Sequence, residues 1–435
     1  MKYVILGGGL SAISTAFFLQ ERNDAEEILI LEKEERPGGL CRSITKDGYT
    51  YDIGPHILFS KDKEMLSLML EVLGEKNDLR RSNQIIYKGR YVQYPFENDL
   101  SKLPKEDLDY CVAHFLNNPY ENYEAENMLQ FFLKTFGEGI TNAYLRPYNE
   151  KIWKYDPCFM DTQMVDRIPK PTHEEIMRSA SGETVDGYVH QLYFHYPSSG
   201  GIEAVVQGFI KRLDSKCTLL CGEKITDLRK VKDRFEVVSN GKKIKADRII
   251  STIPLQELKT ICEMPDKVAE SIHNLRYNSI LIAFVKTKED LCGNNFAFMN
   301  PEKDIIFHRI SKMDFLGEKY QCNSGATYMV EVTYREKDYI DSLPEEVLKE
   351  KIAYGMKKIA FVRDEKDIEF MNLTRHPYAY VIYDLNHKKN MNIVREYCCS
   401  QGIFLNGRFG NFEYWNMDRV IRESKNLVEQ RLFTR

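Results

Sequence analysis

The chain has 435 residues, too many for one simple core, so about two or three domains are expected. Charged residues make up 29% of it and the net charge is −4, which argues against a general nucleic-acid binder. The ten cysteines show no disulfide-framework or zinc spacing, so the expectation is reduced thiols, no metal and a cytoplasmic location.

The first stretch, YVILGGGLSAISTAFFLQ, carries no charge, but three consecutive glycines interrupt it where a membrane helix needs continuity. No other apolar run reaches membrane-spanning length, and no membrane partner is expected. The pattern predicts a strand at Tyr3–Leu6, a glycine turn, a helix from about Ser11 to Glu21 and a second strand at Ile28–Leu31 ending at Glu32. This is a dinucleotide-binding unit. Gly7 permits the tight turn, Gly9 lets backbone approach a pyrophosphate, and Ala12 takes the small position where helix and strand pack. The helix N-terminus presents free N–H groups to the phosphates. Glu32 is placed to grip a ribose hydroxyl, and Lys33 beside it joins the cofactor set.

Farther along, KEERPGGLCRS adds a second glycine pair, Gly38 and Gly39, and GYTYDIGPHILF runs as a strand into a Gly-Pro-His turn. Residues 61–155 read as mainly helical, on the three- and four-residue apolar spacing of EMLSLMLEVLG and ENMLQFFLKTFG. Short alternating strands with a Ser-Asn-Gly turn follow over 217–254, and their return to ISTIP implies that the nucleotide domain is discontinuous. Residues 255–390 mix β-rich runs with a helix or two. The end of the chain reads as a strand, a glycine turn and a long helix. One pyrophosphate site, a second glycine pair, a returning β segment and a C-terminal glycine turn together suit FAD better than NAD. No second Gly-x-Gly-x-x-Gly after a strand is found for a nicotinamide domain.

Four segments, GPHILF (54–59), YPFENDLSKLP (94–104), LRPYNEKIW (145–153) and GRFGNFEYWNMDRVI (407–421), together resemble the UDP-galactopyranose mutase family of flavoenzymes, in order and over nearly the whole chain. The resemblance implies an α/β fold: a discontinuous Rossmann-like FAD-binding domain (1–60, 198–254 and 391–435), a helical nucleotide-binding domain (61–160) and an antiparallel β-sheet substrate domain. The last of these comprises a mobile loop with a first sheet portion (161–197) and residues 255–390. It further implies conversion of a nucleotide-diphosphate sugar between pyranose and furanose through an adduct of the sugar with N5 of reduced flavin, in polysaccharide or glycoconjugate synthesis. The reduced form is then the active one, with an external reductant such as NAD(P)H and a homodimer both compatible.

Residue by residue, the resemblance assigns flavin control to His56, and the substrate diphosphate to Arg167 and Arg309. Guanidinium is always charged and grips phosphate oxygens bidentately. Arg167 precedes THEEIMRSASGETVDG, a polar stretch with little apolar periodicity that suits a lid. Tyr380, with Tyr378 and Tyr383 as neighbouring alternatives, Tyr414 and Asn416 fall to the diphosphate and sugar, and Arg408 and Met417 to the flavin. Tyr94, Phe96, Tyr144, Asn149 and Trp153 form an aromatic-plus-amide set for the base. YPFENDL and RPYNEKIW look closest to the family's fungal and protozoan branch, and two positions depart from that branch's pattern: Glu97 replaces a glutamine beside the base, and Met299 a tyrosine near the phosphates. The competing functions are a flavin amine oxidase or protoporphyrinogen-oxidase-like enzyme, and a flavoprotein without turnover.

Overall fold

In a computed structural model of the chain, residues 1–168, 170–183, 185 and 192–432 are described, apart from the side chains of Asp166, Arg167 and Arg431. They form two units, one of 1–76, 195–276 and 386–435, the other of 77–194 and 277–385.

The first unit is built on five parallel strands in the order 403–405, 248–251, 2–6, 27–31, 217–220. The first two strands and the helix Leu10–Leu19 between them lie within one or two residues of the sequence expectation at most boundaries. Apolar runs on both sides of a glycine turn leave the chain no other way to bury Ile5, Ile13, Ile28 and Ile30, all fully buried. Each contributes roughly 1.5–3 kcal/mol relative to exposure. Register puts Leu405, Ser251, Leu6, Leu31 and Leu220 in one row, so all five strands end together. The chain steps from strand 2–6 to one side first and returns on the other at 248–251, making this edge a topological switch point, where open α/β sheets bind ligands. A three-stranded meander (225–231, 234–239, 242–246) completes the unit's β structure after 217–220, with Asn240 and Gly241 both at positive φ in its hairpin turn.

Asp52 fastens the hairpin Ser43–Lys46/Tyr49–Asp52 inside this unit. Fully buried, it accepts hydrogen bonds from the Tyr196 hydroxyl (2.6 Å), the Ser43 hydroxyl (2.7 Å) and the Ile202 N–H (3.0 Å). Burial pushes its pKa up to about 6 against those three bonds. The folded state therefore holds this proton more tightly than the unfolded chain, and stability falls as pH rises from the ordinary carboxyl range through about 6. The expected contribution is up to about 3 kcal/mol. Urea denaturation at pH 4.5 and 7 should show this decline in the wild type and a flatter response in Asp52→Asn. Identical pH slopes would remove Asp52 as its source.

The second unit holds a seven-stranded sheet in the order 368–382, 276–287, 326–334, 309–312, 297–299, 83–87, 90–93. Strand 326–334 is antiparallel to both its neighbours and buried at every residue. The sheet expected to be antiparallel contains one parallel pair, 297–299 with 83–87. Two of its strands correct the reading of 61–155 as mainly helical. Asn83–Tyr87 and Arg90–Gln93 form a hairpin whose two-residue turn, Lys88-Gly89, has positive φ at both positions, the geometry that matches strand twist. Helices Lys105–Leu116, Met128–Ile140 and Arg146–Trp153 share this unit.

The polar stretch expected as a lid, of which residues 184, 186 and 187 lie outside the described residues, contains a helix, His173–Ser181, opened by a capping box between Thr172 and Glu175. Its buried Ser179 accepts the Leu100 N–H at 2.8 Å, tying it to the turns over 96–102. Among the described residues no helix is long and apolar enough to cross a membrane.

Candidate active site

At the strand-end row of the first unit, two glycine turns lie against each other. Gly38 N–H donates to Gly8 O at 2.8 Å, and Gly9 bridges to Gly38. Gly7, at φ +94°, leaves no room for a side chain, since a Cβ there would sit 2.8 Å from Thr252 Oγ1. Gly9 differs. Its backbone is extended, it caps helix 10–19 without a side-chain bond, and a Cβ would find no atom nearer than Gly39 Cα at 3.9 Å. The protein itself makes no use of the space over Gly9.

In the first turn of that helix Ser11 Oγ, and in the C-terminal glycine turn Arg408 Nε, are buried with no hydrogen-bond partner. They are brought together because Gly407 packs on Ser11 and Asn406 donates to Thr15 Oγ1 (2.9 Å) and Ser424 Oγ (3.0 Å), binding the C-terminal glycine turn to both helices. An uncapped helix end, an orphan hydroxyl and a guanidinium form a donor set for a pyrophosphate, so these residues fit FAD.

The other cofactor candidates fall in the same unit. Ala12 is fully buried under the helix. Glu32 accepts from the Gly8 N–H (2.6 Å) and the Glu34 N–H (2.9 Å), so its carboxylate already braces the glycine loop. Lys33 pairs at the surface with Glu257 at 2.8 Å. Gly38 and Gly39, at φ +118° and +56°, open a short 3-10 turn. Arg408 lies over the Tyr414 ring at 4.3 Å, Asn416 caps helix 417–426 without a side-chain bond, and Met417 is that helix's first residue. His56 Nδ1 lies 3.1 Å from Gly54 O in a tight turn. The loop after it is clamped to helix 417–426 by Asp62, which takes two bonds from Arg422 at 2.7 and 2.8 Å.

The second unit gathers a different chemistry. Arg309 grips Glu331 with two bonds, Nε to Oε1 at 2.5 Å and Nη2 to Oε2 at 2.7 Å, as cross-strand partners. Tyr380 OH lies 3.5 Å from Arg309 Nη2 and donates to Glu331 Oε2 at 3.2 Å, which distinguishes it from Tyr378, whose ring lies tilted against Tyr277, and from Tyr383. Burial opposes the charge on Arg309, and Glu331 more than offsets it, holding the guanidinium pKa well above its ordinary value. His308, fully buried with neither ring nitrogen hydrogen-bonded and Nε2 3.9 Å from Glu331 Oε2, is pushed well below its usual pKa by burial and then by Arg309, so it stays neutral.

A second guanidinium, Arg81, lies within the electrostatic reach of Arg309. Burial pushes its pKa down, Tyr94 opposes that shift, and the like charge of Arg309 adds to it. Glu331 balances one of the two positive charges. Two guanidinia this close repel one another, and an anionic ligand would relieve that repulsion.

From these arginines a continuous chain of rings runs through the unit. Trp153 meets Tyr380 (centroids 5.9 Å), Tyr380 meets His308 (6.3 Å), His308 meets Tyr148 (6.5 Å), Tyr148 stacks on Tyr144 (5.2 Å), and Tyr144 on Phe96 (5.0 Å). Phe96 is fully buried and backs Tyr144. Asn149 spends its amide within its own helix, donating to Leu145 O (2.7 Å) and accepting from Trp153 Nε1 (2.8 Å). Tyr94 lies within reach of Glu97, Arg81 and Arg309 at once. Glu97 is buried, and desolvation pushes its pKa up to about 7. Met299 is buried and registers opposite Arg309. The Arg167 backbone ends the 3-10 turn Thr162–Arg167, and its side chain lies outside the described residues. Arg81, Glu331, His308 and Tyr148 escape sequence reasoning. Glu331 alone left a signal, a lone carboxylate inside the apolar run ATYMVEVTY, since a charge in a central strand requires a partner.

Known proteins share this architecture. The crystal structure of reduced UDP-galactopyranose mutase superposes with a TM-score of 0.90 over 99% of this chain and 95% of that one, at 24% identity, which shows a common fold. Coproporphyrinogen III oxidase of Bacillus subtilis is 22% identical over 315 residues, covering 62% of this chain and 65% of its own. The uncharacterized protein in the nifH2 3′ region of Methanothermococcus thermolithotrophicus is 47% identical over 58 residues, 13% of this chain and 54% of its own. The chain thus spans less than two thirds of the length of these curated relatives. The profile of the flavin containing amine oxidoreductases matches residues 10–388, and this chain belongs to that family of flavin-dependent enzymes, with FAD as its cofactor.

Proposed function

We propose that the protein is an FAD-dependent mutase that interconverts the pyranose and furanose forms of a nucleotide-diphosphate sugar, in polysaccharide or glycoconjugate precursor synthesis. The observation that carries this reading is the Arg309–Glu331–Tyr380 cluster beside a run of stacked rings, where a guanidinium suited to a diphosphate adjoins aromatic faces suited to a base. Reduced FAD, when bound, supplies a nucleophilic N5 for the sugar's anomeric carbon.

The chain's own residues bind and orient. Gly9, Ser11 and Arg408 hold the cofactor's pyrophosphate, Glu32 its ribose, and the loop at His56 its ring system. Arg309, braced by Glu331, and Arg81 hold the leaving diphosphate, with Arg167 joining them and Tyr380 completing the set. As negative charge grows on the departing oxygens, bonds from these fixed guanidinia strengthen. The aromatic chain from Trp153 to Phe96 walls the nucleoside side.

A porphyrinogen oxidase is the second reading, favoured by the Bacillus subtilis relative and by the ability of paired arginines to bind carboxylates as well as phosphates. The two separate on redox balance. A mutase should isomerise nucleotide sugars only after reduction by dithionite or NAD(P)H, with product and substrate of equal mass. Equal isomerisation with oxidised flavin would exclude the N5 route. Hydrogen peroxide formed in step with coproporphyrinogen consumption would establish the oxidase.

A further inference from the structure

Lys151 is buried on the helix Arg146–Trp153, a place where a lysine ordinarily needs a carboxylate partner. Among the described residues it has none in contact. Its ammonium donates instead to two backbone carbonyls, Asn300 O at 2.9 Å and Glu302 O at 2.7 Å. Lys312, also buried, pairs with the Asp290 carboxylate in the usual way. The acidic side chains of the loop that Lys151 reaches, Glu302 and Asp304, are taken from outside by Lys358, at 2.9 and 2.5 Å.

That loop, 300–308, joins strand 297–299 to strand 309–312 and so delivers His308 and Arg309. Asn300 closes it, donating its N–H to His308 O and accepting the Glu302 N–H on Oδ1, both at 2.9 Å. The helix is fixed separately: Thr333 Oγ1 donates to Lys151 O at 3.0 Å, and Asn278 Nδ2 to Trp153 O at 2.6 Å. It carries Tyr148, whose ring meets that of His308. Loop and helix are also joined by Lys303 and Glu150 at 3.2 Å, but that lysine is exposed and the pair is worth little. Lys151 is the buried tie between them.

Resting on the nucleotide-sugar reading, we infer that Lys151 is a positioning residue of the Arg309 site: its ammonium holds the Arg309 loop against the ring-bearing helix, and loss of its proton loosens that hold and weakens diphosphate binding. Bonds from an ammonium are roughly twice as strong as those from a neutral amine. The charge also reaches the site directly, since His308 feels it.

Burial pushes the Lys151 pKa down to about 7. Lys154 at the helix end and Lys358 of helix 345–358 push the same way, while Glu302 and Asp304 oppose them. His308 stays neutral and Arg309 charged, so neither titrates alongside it. Lys151 is therefore charged below about pH 7 and neutral above it. An anion at Arg309 favours the charged form, so binding takes up a proton and strengthens as pH falls from 8 to 6.

The test is equilibrium binding of UDP-galactose and GDP-mannose to the FAD-loaded protein at pH 6 and 8. Their diphosphates are esterified at both ends and keep one charge over this range. Wild type should bind at least about fivefold more tightly at pH 6, the lower end of coupling between two sites. Lys151→Met has no proton to lose and should bind equally at both pH values, as weakly as wild type at pH 8. Lys151→Arg stays charged and should keep the tight level at both. In wild type carrying 13C-labelled lysine, one Cε resonance should titrate near pH 7 and move its midpoint upward when the nucleotide sugar is added. Equal pH dependence in wild type and Lys151→Met, or no lysine titrating near pH 7, would overturn the role of Lys151 and leave the nucleotide reading standing. Failure of both nucleotide sugars to bind at either pH would overturn both. The labelled wild type decides the matter even if the variants fold poorly.

Discussion

Arg309→Ala is expected to lower turnover by roughly a hundredfold or more, the scale of removing one stabiliser of developing charge. It is also expected to lose about 3–5 kcal/mol of stability, because Glu331 would remain as a fully buried carboxylate without its cation. The two losses have different causes and can be separated. In Arg309→Ala/Glu331→Gln the buried charge is gone, so most of the stability should return while turnover stays low. Arg309→Lys keeps the charge but not the two-pronged grip, and should recover turnover only in part. Flavin content should be unchanged in all three, since Arg309 belongs to the second unit and the flavin set to the first. Steady-state kinetics, urea denaturation and flavin absorbance measure the three quantities. If the double variant turned over like the wild type, Arg309 would be no more than the counter-ion of Glu331.

That coupling shows which parts of the protein could be read from the sequence. The opening strand–turn–helix–strand unit is local: apolar runs bracket a glycine turn, and the structure moves most of its boundaries by only a residue or two. The return of strands 217–220, 248–251 and 403–405 to the same sheet was also legible, because each is a short apolar run next to turn residues. The hairpin at Lys88-Gly89 was lost among helical neighbours, although a Lys-Gly pair between alternating residues carries the signal of a positive-φ turn. The capping box at Thr172 was hidden by the polarity of the helix it starts, where Ile176 and Ser179 supply the buried face. Arg81 and Glu331 lie deepest of all. Their meaning depends on sheet register, which sets Arg309 opposite Glu331, and on the fold bringing Arg81 near them. No local pattern encodes either juxtaposition.

Gly9→Val is expected to give a folded, colourless protein. Position 9 has φ −73° and ψ 176°, an extended backbone that residues with side chains adopt without strain. An added Cβ meets only Gly39 Cα, at an ordinary contact distance of 3.9 Å. Beyond a modest preference for glycine as the N-cap of helix 10–19, the fold alone gives no reason for a glycine here. Gly7 is the control: at φ +94° and with Thr252 Oγ1 2.8 Å from a Cβ, Gly7→Ala should destabilise the protein whether or not flavin is present. Flavin retention and thermal melting with and without added FAD distinguish the two sites. Wild type should melt higher as FAD is added, by about 2.7 kcal/mol of stabilisation at a hundred times the dissociation constant. Gly9→Ala should need more FAD for the same gain, and Gly9→Val should gain nothing while melting like the flavin-free wild type. A Gly9→Val protein that bound FAD as the wild type does would mean that the pyrophosphate lies elsewhere along the strand-end row. The orphan Ser11 hydroxyl and Arg408 guanidinium would then need another ligand.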